Sequence, residues 1–260
     1  LTIIGTRPWA ATLLPGRPRM VDGGQHQPSH ITLIGASGVR VQWLRFRVDT
    51  NGVAAAAARR AHRIGGVIPC GAFAAVRVQG GSQDVVVRAN RMRAFGSGTL
   101  GWCGLGSGVI VGEGSTAWVG YNAARDFRDQ GFLATGHDTA VTFHRNSVRF
   151  WHPEAPVPQG CFLGAGIVFT NGATGAATRD RVYGRPTAAV GETPLLCPGI
   201  YLPEAGPGVV LRGNLVQWAY DGINLAAARD VTVEGNRILD SVNDGIRAAY
   251  TSDSRIEANV

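Results

Sequence analysis

The sequence predicts an all-β protein: a single right-handed parallel β-helix of about eight to nine turns, with an asparagine ladder and long loops on one face. Three observations predict it. An apolar pattern ending in asparagine recurs along the chain, and a short pattern opening with glycine follows each copy. The composition also suits many short strands, because Gly (37) and Pro (13) are frequent among 260 residues while charged residues make up only 17%.

The asparagine pattern is clearest near the C-terminus. The run Val-Thr-Val-Glu-Gly-Asn-Arg-Ile at 231–238 matches Val-Val-Leu-Arg-Gly-Asn-Leu-Val at 209–216. Leu44 and Asp180 fit the same frame with the asparagine replaced. Stacked side-chain amides can donate and accept along a coil axis, so the pattern predicts a ladder. Six of the ten asparagines occupy the frame position: Asn90, Asn122, Asn146, Asn214, Asn236 and Asn259.

The glycine-opened pattern is clearest in Asp221-Gly-Ile-Asn-Leu225 and Asp244-Gly-Ile-Arg-Ala248. Each repeat therefore contains three short strands, which become stable if successive repeats stack in parallel about 4.8 Å apart. Side chains alternate between the two faces of a strand, so the residue after the first apolar one points outward. The predicted outward row in successive turns is Thr32, Arg77, Ile110, Leu133, Val168, Tyr201, Asn224 and Arg247.

Five repeats are longer than the basic turn, and their extra residues fall mostly between the strand after the asparagine and the glycine-opened strand. These segments are 15–29, 49–75, 95–107, 150–165 and 183–198. Repeat proteins often build a binding surface from loops on one face, so the segments predict a groove over the glycine-opened strands. The segment Gly136-His-Asp138 is expected on the turn opposite this groove. Solvent-exposed loops without a ligand are the alternative.

The frame Val-x-Val-x-x-Asn-x-Ile followed by Asp-Gly-Ile resembles that of the right-handed parallel β-helix proteins of the pectate-lyase-like superfamily. The resemblance extends over nearly the whole chain and implies the fold. It leaves the activity open, because this architecture carries lyases, hydrolases, epimerases, esterases and adhesive proteins. The paired-aspartate motifs of polygalacturonase-like hydrolases and the Asp-Pro-His-Asp segment of alginate epimerases are absent from the sequence. No catalytic residue follows from the resemblance.

Polar residues dominate the last third of the outward row, and we predict a catalytic centre there. Two aspartates at equivalent positions of adjacent turns could share a proton as an acid and base pair, or could hold Ca²⁺ against a uronate. The alternative is that each Asp-Gly only forms the tight turn before a strand. The predicted catalytic residues are Asp221, Asp244, Arg247 and Tyr201, and the first two are the predicted Ca²⁺ ligands.

Further residues are expected to bind the substrate beside this centre. Aromatic side chains on the groove side could stack on sugar rings, although aromatic residues in loops also serve to pack the loop onto the body. The predicted substrate-binding residues are Asn224, Trp218, Tyr220, Trp151, His152, Glu154, Arg128 and Asp129.

The formal net charge is +7, and all 25 basic residues are arginines scattered along the chain. This balance favours an acidic partner such as a uronate polysaccharide. The cysteines precede glycine-opened strands in two neighbouring pairs of turns, which predicts disulfides between Cys70 and Cys103 and between Cys161 and Cys197. Two disulfides would imply an oxidising compartment. Four buried free thiols are the alternative.

Together these features predict a secreted or cell-surface protein that binds an acidic polysaccharide and could cleave it as a lyase or a hydrolase. The alternative is a non-catalytic surface, adhesion or glycan-binding module. A nucleic-acid partner is not expected. A membrane span is not expected either, since no run approaches about 18 apolar residues. Residues 1–260 are expected to form one domain that is cut at both ends from a longer chain.

Overall fold

A computed structural model gives the fold and describes residues 1–4, 11–13, 29–47, 73–93, 105–127, 130–150, 164–184 and 196–260. In these ranges 25 strands form three parallel sheets. The first sheet contains β1 (Thr2–Ile4), β4 (Arg40–Gln42), β7 (Val85–Arg88), β10 (Thr116–Gly120), β13 (Ala140–His144), β16 (Thr174–Thr178), β19 (Val210–Arg212), β22 (Thr232–Glu234) and β25 (Arg255–Glu257). The second contains β2 (Ala11–Leu13), β5 (Leu44–Arg47), β8 (Arg91–Arg93), β11 (Ala123–Arg125), β14 (Ser147–Arg149), β17 (Arg181–Tyr183), β20 (Leu215–Gln217) and β23 (Arg237–Leu239). The third contains β3 (Ser29–Ile34), β6 (Phe73–Gln79), β9 (Leu105–Gly112), β12 (Gln130–Thr135), β15 (Ala165–Thr170), β18 (Ile200–Pro203), β21 (Ile223–Ala226) and β24 (Ile246–Ala249).

The chain visits the three sheets in turn and pairs each strand with its equivalents in neighbouring turns. In the first sheet, for example, β10 lies between β7 and β13, and both pairings are parallel. The predicted all-β parallel β-helix of about eight to nine turns is thus confirmed. The described ranges contain no helix that is long and apolar enough to cross a membrane.

The interior is a continuous apolar column formed by the inward side chains of all three sheets. In its middle, the rings of Phe132, Phe143 and Phe169 pack in sequence, with centroids 5.9 and 5.3 Å apart. All three are fully buried, at 0% exposure. Because no turn could bury these residues alone, the stacking of turns supplies the stability that the short strands lack.

The predicted asparagine ladder is present and lies between the first and second sheets. The side-chain amide of Asn90 donates to Asn122 Oδ1 at 3.0 Å, and that of Asn122 donates to Asn146 Oδ1 at 3.1 Å. The same contact joins Asn214 to Asn236 and Asn236 to Asn259, both at 2.9 Å. Each of these amides also donates to a backbone carbonyl of an earlier strand, so the buried amides are satisfied.

The two frame positions without asparagine behave differently. Leu44 is buried, and its backbone N–H donates to Asn90 Oδ1 at 3.0 Å, which starts the ladder. Asp180 takes the acceptor part of a rung, because its Oδ1 accepts hydrogen bonds from the backbone N–H and the side-chain amide of Asn146. Its backbone N–H donates to Asn214 Oδ1 at 2.9 Å.

From β4 onward, each ladder corner is short and uses one residue in the left-handed conformation. Only Ala89 and Asn90 separate β7 from β8, and Ala89 has φ 52°. The residues before the other rungs also have positive φ, including Tyr121, Arg145 and Arg179. This conformation disfavours residues with a Cβ atom, so the ladder hydrogen bonds must hold the corner in place.

Substituting Asn122 with alanine is therefore expected to lower the free energy of unfolding by about 2–3 kcal/mol, because it leaves the Asn90 N–H and the Val87 carbonyl without their buried partners. Urea unfolding followed by circular dichroism measures the change. The exposed Arg237, which has no positive φ, is the control, and its alanine variant is expected to change stability by less than about 0.5 kcal/mol. Equal losses in the two variants would contradict a structural role for the ladder.

A column of glycines opens the third-sheet strands, where the second and third sheets approach each other. A Cβ atom on Gly166 would lie 2.3 Å from Val182 Cγ1 and 2.6 Å from the carbonyl oxygen of Gly199. Gly131 and Gly199 are similarly crowded. The glycine-opened pattern therefore reflects a close approach of backbone to the inward valines of the second sheet.

Long connections are confined to one corner of the coil, as predicted. Residues 14–28, 48–72, 94–104, 151–163 and 185–195 each separate a second-sheet strand from the next third-sheet strand and lie outside the described residues. The strands β6 and β9 begin slightly earlier than the predicted segments end, at Phe73 and Leu105.

Candidate functional site

The predicted outward row of the third sheet lies in one register column. Thr32 pairs with Arg77, Arg77 with Ile110, and Ile110 with Leu133. The column continues without a shift through Val168, Tyr201, Asn224 and Arg247. We refer to these eight residues as the third-sheet column.

The middle and the C-terminal part of the third-sheet column differ in accessibility. Ile110 is 7% exposed and Val168 is 5% exposed, although both are on the outer face. Tyr201 and Asn224 are half-buried, and Arg247 is exposed. The C-terminal part is thus both accessible and polar, and there a hydroxyl, an amide and a guanidinium group follow one another at the strand spacing of about 4.8 Å.

Asp221 is held beside this polar part by two side-chain amides. Asn224 Nδ2 donates to Asp221 Oδ2 at 2.7 Å, and Asn243 Nδ2 donates to Asp221 Oδ1 at 2.9 Å. Asp221 is 4% exposed, so both oxygens of a buried carboxylate are satisfied. This arrangement holds the side-chain amide of Asn224 against Asp221.

Asp244 lies one turn further along and is more accessible. Its Oδ2 accepts a hydrogen bond of 3.1 Å from Asn243 Nδ2, the atom that also donates to Asp221. The Asn243 amide therefore links the two carboxylates, and a Ca²⁺ ion bridging them would require this amide to move. Among the described residues, no three His, Cys, Asp or Glu side chains are grouped as metal ligands.

The other predicted site residues are only partly within the described ranges. Trp218 and Tyr220 are half-buried on the segment between β20 and β21, immediately before Asp221. The predicted substrate-binding residues Trp151, His152, Glu154, Arg128 and Asp129 lie outside the described residues, as do Cys70, Cys103 and Cys161.

Cys197 is buried at 5% exposure and is disulfide-bonded. Its predicted partner, Cys161, lies outside the described residues, so the pairing itself stays a prediction.

A surface depression of about 510 Å³ lies toward the N-terminal end of the third-sheet column, away from Tyr201, Asn224 and Arg247. It is lined by Arg77 and Ile110 of the column and by Glu113, His137 and Asp138 of the turns that follow third-sheet strands. Burial lowers the pKa of Arg77 from its usual value, and the charge of Glu113 partly offsets this. The depression thus brings acidic, basic and imidazole groups together on the outer face.

This depression corrects one expectation from the sequence. Gly136, His137 and Asp138 were expected opposite the groove, but they line the same face as the third-sheet column. The expectation was wrong because the turn after β12 begins at the outer edge of the third sheet, so its side chains reach the ends of the neighbouring outward row. The sequence feature that could have placed these three residues correctly is their position directly after the glycine-opened strand β12.

Comparisons with known proteins add little. No family model matches the chain, and no curated protein matches its sequence. Among solved structures, the chain is similar to the catalytic domain of a GH87 alpha-1,3-glucanase in complex with nigerose, with 10% identity and a TM-score of 0.32. The match covers 99% of this chain and 60% of the glucanase chain. A similarity of this size carries no argument about the activity of this chain.

Proposed function

We propose that this β-helix binds an acidic polysaccharide along the outer face of its third sheet and cleaves it near Asp244. The observation that carries the proposal is the register of Tyr201, Asn224 and Arg247, which presents three different polar groups in consecutive turns. Their spacing of about 4.8 Å is comparable to the length of one sugar ring, so successive sugars can meet successive turns.

Each polar group has a role that its surroundings support. Arg247 is exposed and can pair with a uronate carboxylate, since guanidinium groups bind carboxylates in a bidentate manner. Tyr201 and Asn224 can hydrogen-bond sugar hydroxyl groups. Because both Asp221 oxygens are already engaged, we assign Asp221 to positioning Asn224 and Asn243.

Asp244 is the candidate acid and base. Within the described part of the chain its carboxylate accepts one side-chain hydrogen bond, on Oδ2. The other oxygen, Oδ1, can therefore exchange a proton with a bound sugar. In a lyase, Asp244 would remove the proton next to the uronate carboxylate and pass it to the leaving oxygen as the glycosidic bond breaks and a double bond forms. In a hydrolase, protonated Asp244 would protonate the leaving oxygen, and the water that attacks the sugar would return a proton to Asp244.

A non-catalytic glycan-binding module is the second candidate. It is favoured by the hydrogen bonding of Asp221, because a carboxylate with both oxygens satisfied by amides is suited to fix neighbouring side chains rather than to transfer protons. In either case we propose a secreted or cell-surface location, which the disulfide at Cys197 supports.

Incubation with polygalacturonate and alginate, with and without Ca²⁺, tests the proposal. Unsaturated product absorbance reports a lyase, and new reducing ends without that absorbance report a hydrolase. Binding measured by affinity electrophoresis without either product would support the non-catalytic module. Absence of both binding and product would overturn the proposed function.

Two variants separate binding from chemistry. Arg247→Ala is expected to weaken binding at least about tenfold, because a charge-assisted contact is lost, whereas Arg229→Ala, at an exposed arginine outside the third sheet, keeps full affinity. Asp244→Asn is expected to keep affinity and lower kcat about 100-fold or more. The exposed Asp253→Asn variant is its control. Unchanged kcat in Asp244→Asn would remove Asp244 from the chemistry.

A further inference from the structure

Arginines that are dispersed in sequence come together on the second sheet. Parallel register places Arg93, Arg125 and Arg149 in one outward column. All three are exposed. The next position in this column is Tyr183, and the guanidinium of Arg149 lies over its ring, 5.0 Å from the centroid. A row of positive charge therefore runs along the coil axis at the strand spacing of about 4.8 Å.

More arginines flank this row at the ladder corner. Arg145 and Arg179 occupy the left-handed positions of adjacent corners, where the side chain points away from the ladder. Together with Arg149 and Arg181 they line a surface depression of about 500 Å³. We call Arg125, Arg145, Arg149, Arg179 and Arg181 the arginine strip.

Among the described residues, no acidic group is ion-paired with a member of the arginine strip. In the described residues, the ion pair on this face joins Arg93 to Asp126 at 3.5 Å, just outside the strip. Asp180 lies between Arg179 and Arg181 in sequence but is only 1% exposed. The pKa of the nearby His144 is lowered first by burial. The positive charges of Arg145 and Arg179 lower this pKa further. The strip thus carries positive charge that an external anion can pair with.

We infer that the arginine strip is a second binding surface for a carboxylated or sulfated polysaccharide chain lying along the coil axis, separate from the third-sheet column. Guanidinium groups bind carboxylate and sulfate oxygens through paired N–H donors. The regular spacing suits a polymer with one anionic group on each sugar. Single-stranded nucleic acid also needs open aromatic faces for base stacking. The nearby rings of Tyr121 and Tyr183 are instead covered on one face by Arg145 and Arg149.

The test compares two double variants of the full chain with equal loss of charge. Arg149→Gln with Arg181→Gln removes two members of the strip, and Arg40→Gln with Arg229→Gln removes two exposed arginines elsewhere. Affinity for polygalacturonate, heparin, single-stranded DNA and neutral dextran is measured by calorimetry at ~50 and ~200 mM NaCl. Circular dichroism and the thermal midpoint check that both variants fold.

In the Arg247→Ala background, which leaves the strip as the remaining proposed site, the strip variant is expected to bind the anionic polymers at least about tenfold more weakly than its parent, with a shallower salt dependence, while the control changes less than about twofold. Preference for polygalacturonate or heparin identifies carboxylate or sulfate as the natural group. Equal losses in both variants, or equally tight binding of dextran, would overturn the inference. Tighter binding of single-stranded DNA than of either polymer would also overturn it. Arg247→Ala is expected to keep strip binding, so failure of the third-sheet proposal is seen separately.

Discussion

Replacing Asp180 with asparagine is expected to stabilise the protein at neutral pH by on the order of 4 kcal/mol. Asp180 is a ladder rung whose Oδ1 accepts two hydrogen bonds from Asn146, while its buried Oδ2 has no hydrogen-bond partner among the described residues. In the asparagine rungs this place is taken by an N–H₂ group that donates to a carbonyl and to the next rung, as in Asn122. A carboxylate cannot donate, so the native rung is incomplete when ionised.

The pH dependence follows from the same geometry. Burial raises the pKa of Asp180 from 3.8 to about 7, although hydrogen bonds from Asn146 and the Thr178 backbone oppose the rise. A raised pKa means that the folded state binds the proton more tightly than the unfolded state. The resulting stability is fully present below about pH 4 and is lost as the pH rises through about 7.

Urea midpoints measured from pH 4 to pH 9 test this expectation. The native protein should lose stability between about pH 4 and 7 relative to Asp180→Asn, and the gap should stay constant above about pH 8. The exposed Asp253→Asn variant is the control and should follow the native protein throughout. A constant difference between Asp180→Asn and the native protein at every pH would show that Asp180 does not change its protonation on folding.

Gly166→Ala is expected to destabilise the protein by about 3 kcal/mol or more, or to prevent folding. The new methyl group would meet the Gly199 carbonyl oxygen at 2.6 Å and Val182 Cγ1 at 2.3 Å, so both sheets would have to move apart. Gly245 occupies the equivalent place in the last turn, where a Cβ atom would meet nothing within 4 Å. Gly245→Ala is thus a matched control.

Thermal and urea unfolding of the two glycine variants give the comparison. If Gly166→Ala fails to fold, the yield of soluble protein against that of Gly245→Ala supplies the readout. The Gly166→Ala, Val182→Ala double variant is expected to recover part of the loss, because the shorter side chain removes one of the two close contacts. Equal stability of the two single variants would contradict the close packing of the second and third sheets.

The sequence was sufficient to predict the fold and the third-sheet column, because both arise from patterns that repeat within each turn. The ladder asparagines and the glycines of Asp221-Gly and Asp244-Gly each mark a fixed place in a turn, so counting along the frame gives the register. Leu44 and Asp180 could be placed in the ladder for the same reason.

Contacts of residues outside the asparagine and glycine patterns were beyond this reasoning. The amide that links Asp221 to Asp244 belongs to Asn243, which is outside the repeated pattern. The arginine strip likewise depends on the register between β11, β14 and β17, and in sequence its members look scattered. His137 was misplaced because the sequence does not indicate how far the outer face extends beyond the strand ends.

The confinement of long connections to one corner has a consequence for how such a protein can change. The register between successive turns is set at the ladder corner, where only Ala89 and Asn90 connect β7 to β8. At the other corner, residues 48–72 join β5 to β6 while those strands keep their pairing with their neighbours. Connecting segments of different length can therefore be exchanged at that corner, by evolution or by design. Such an exchange can change which ligand the protein binds without altering the coil.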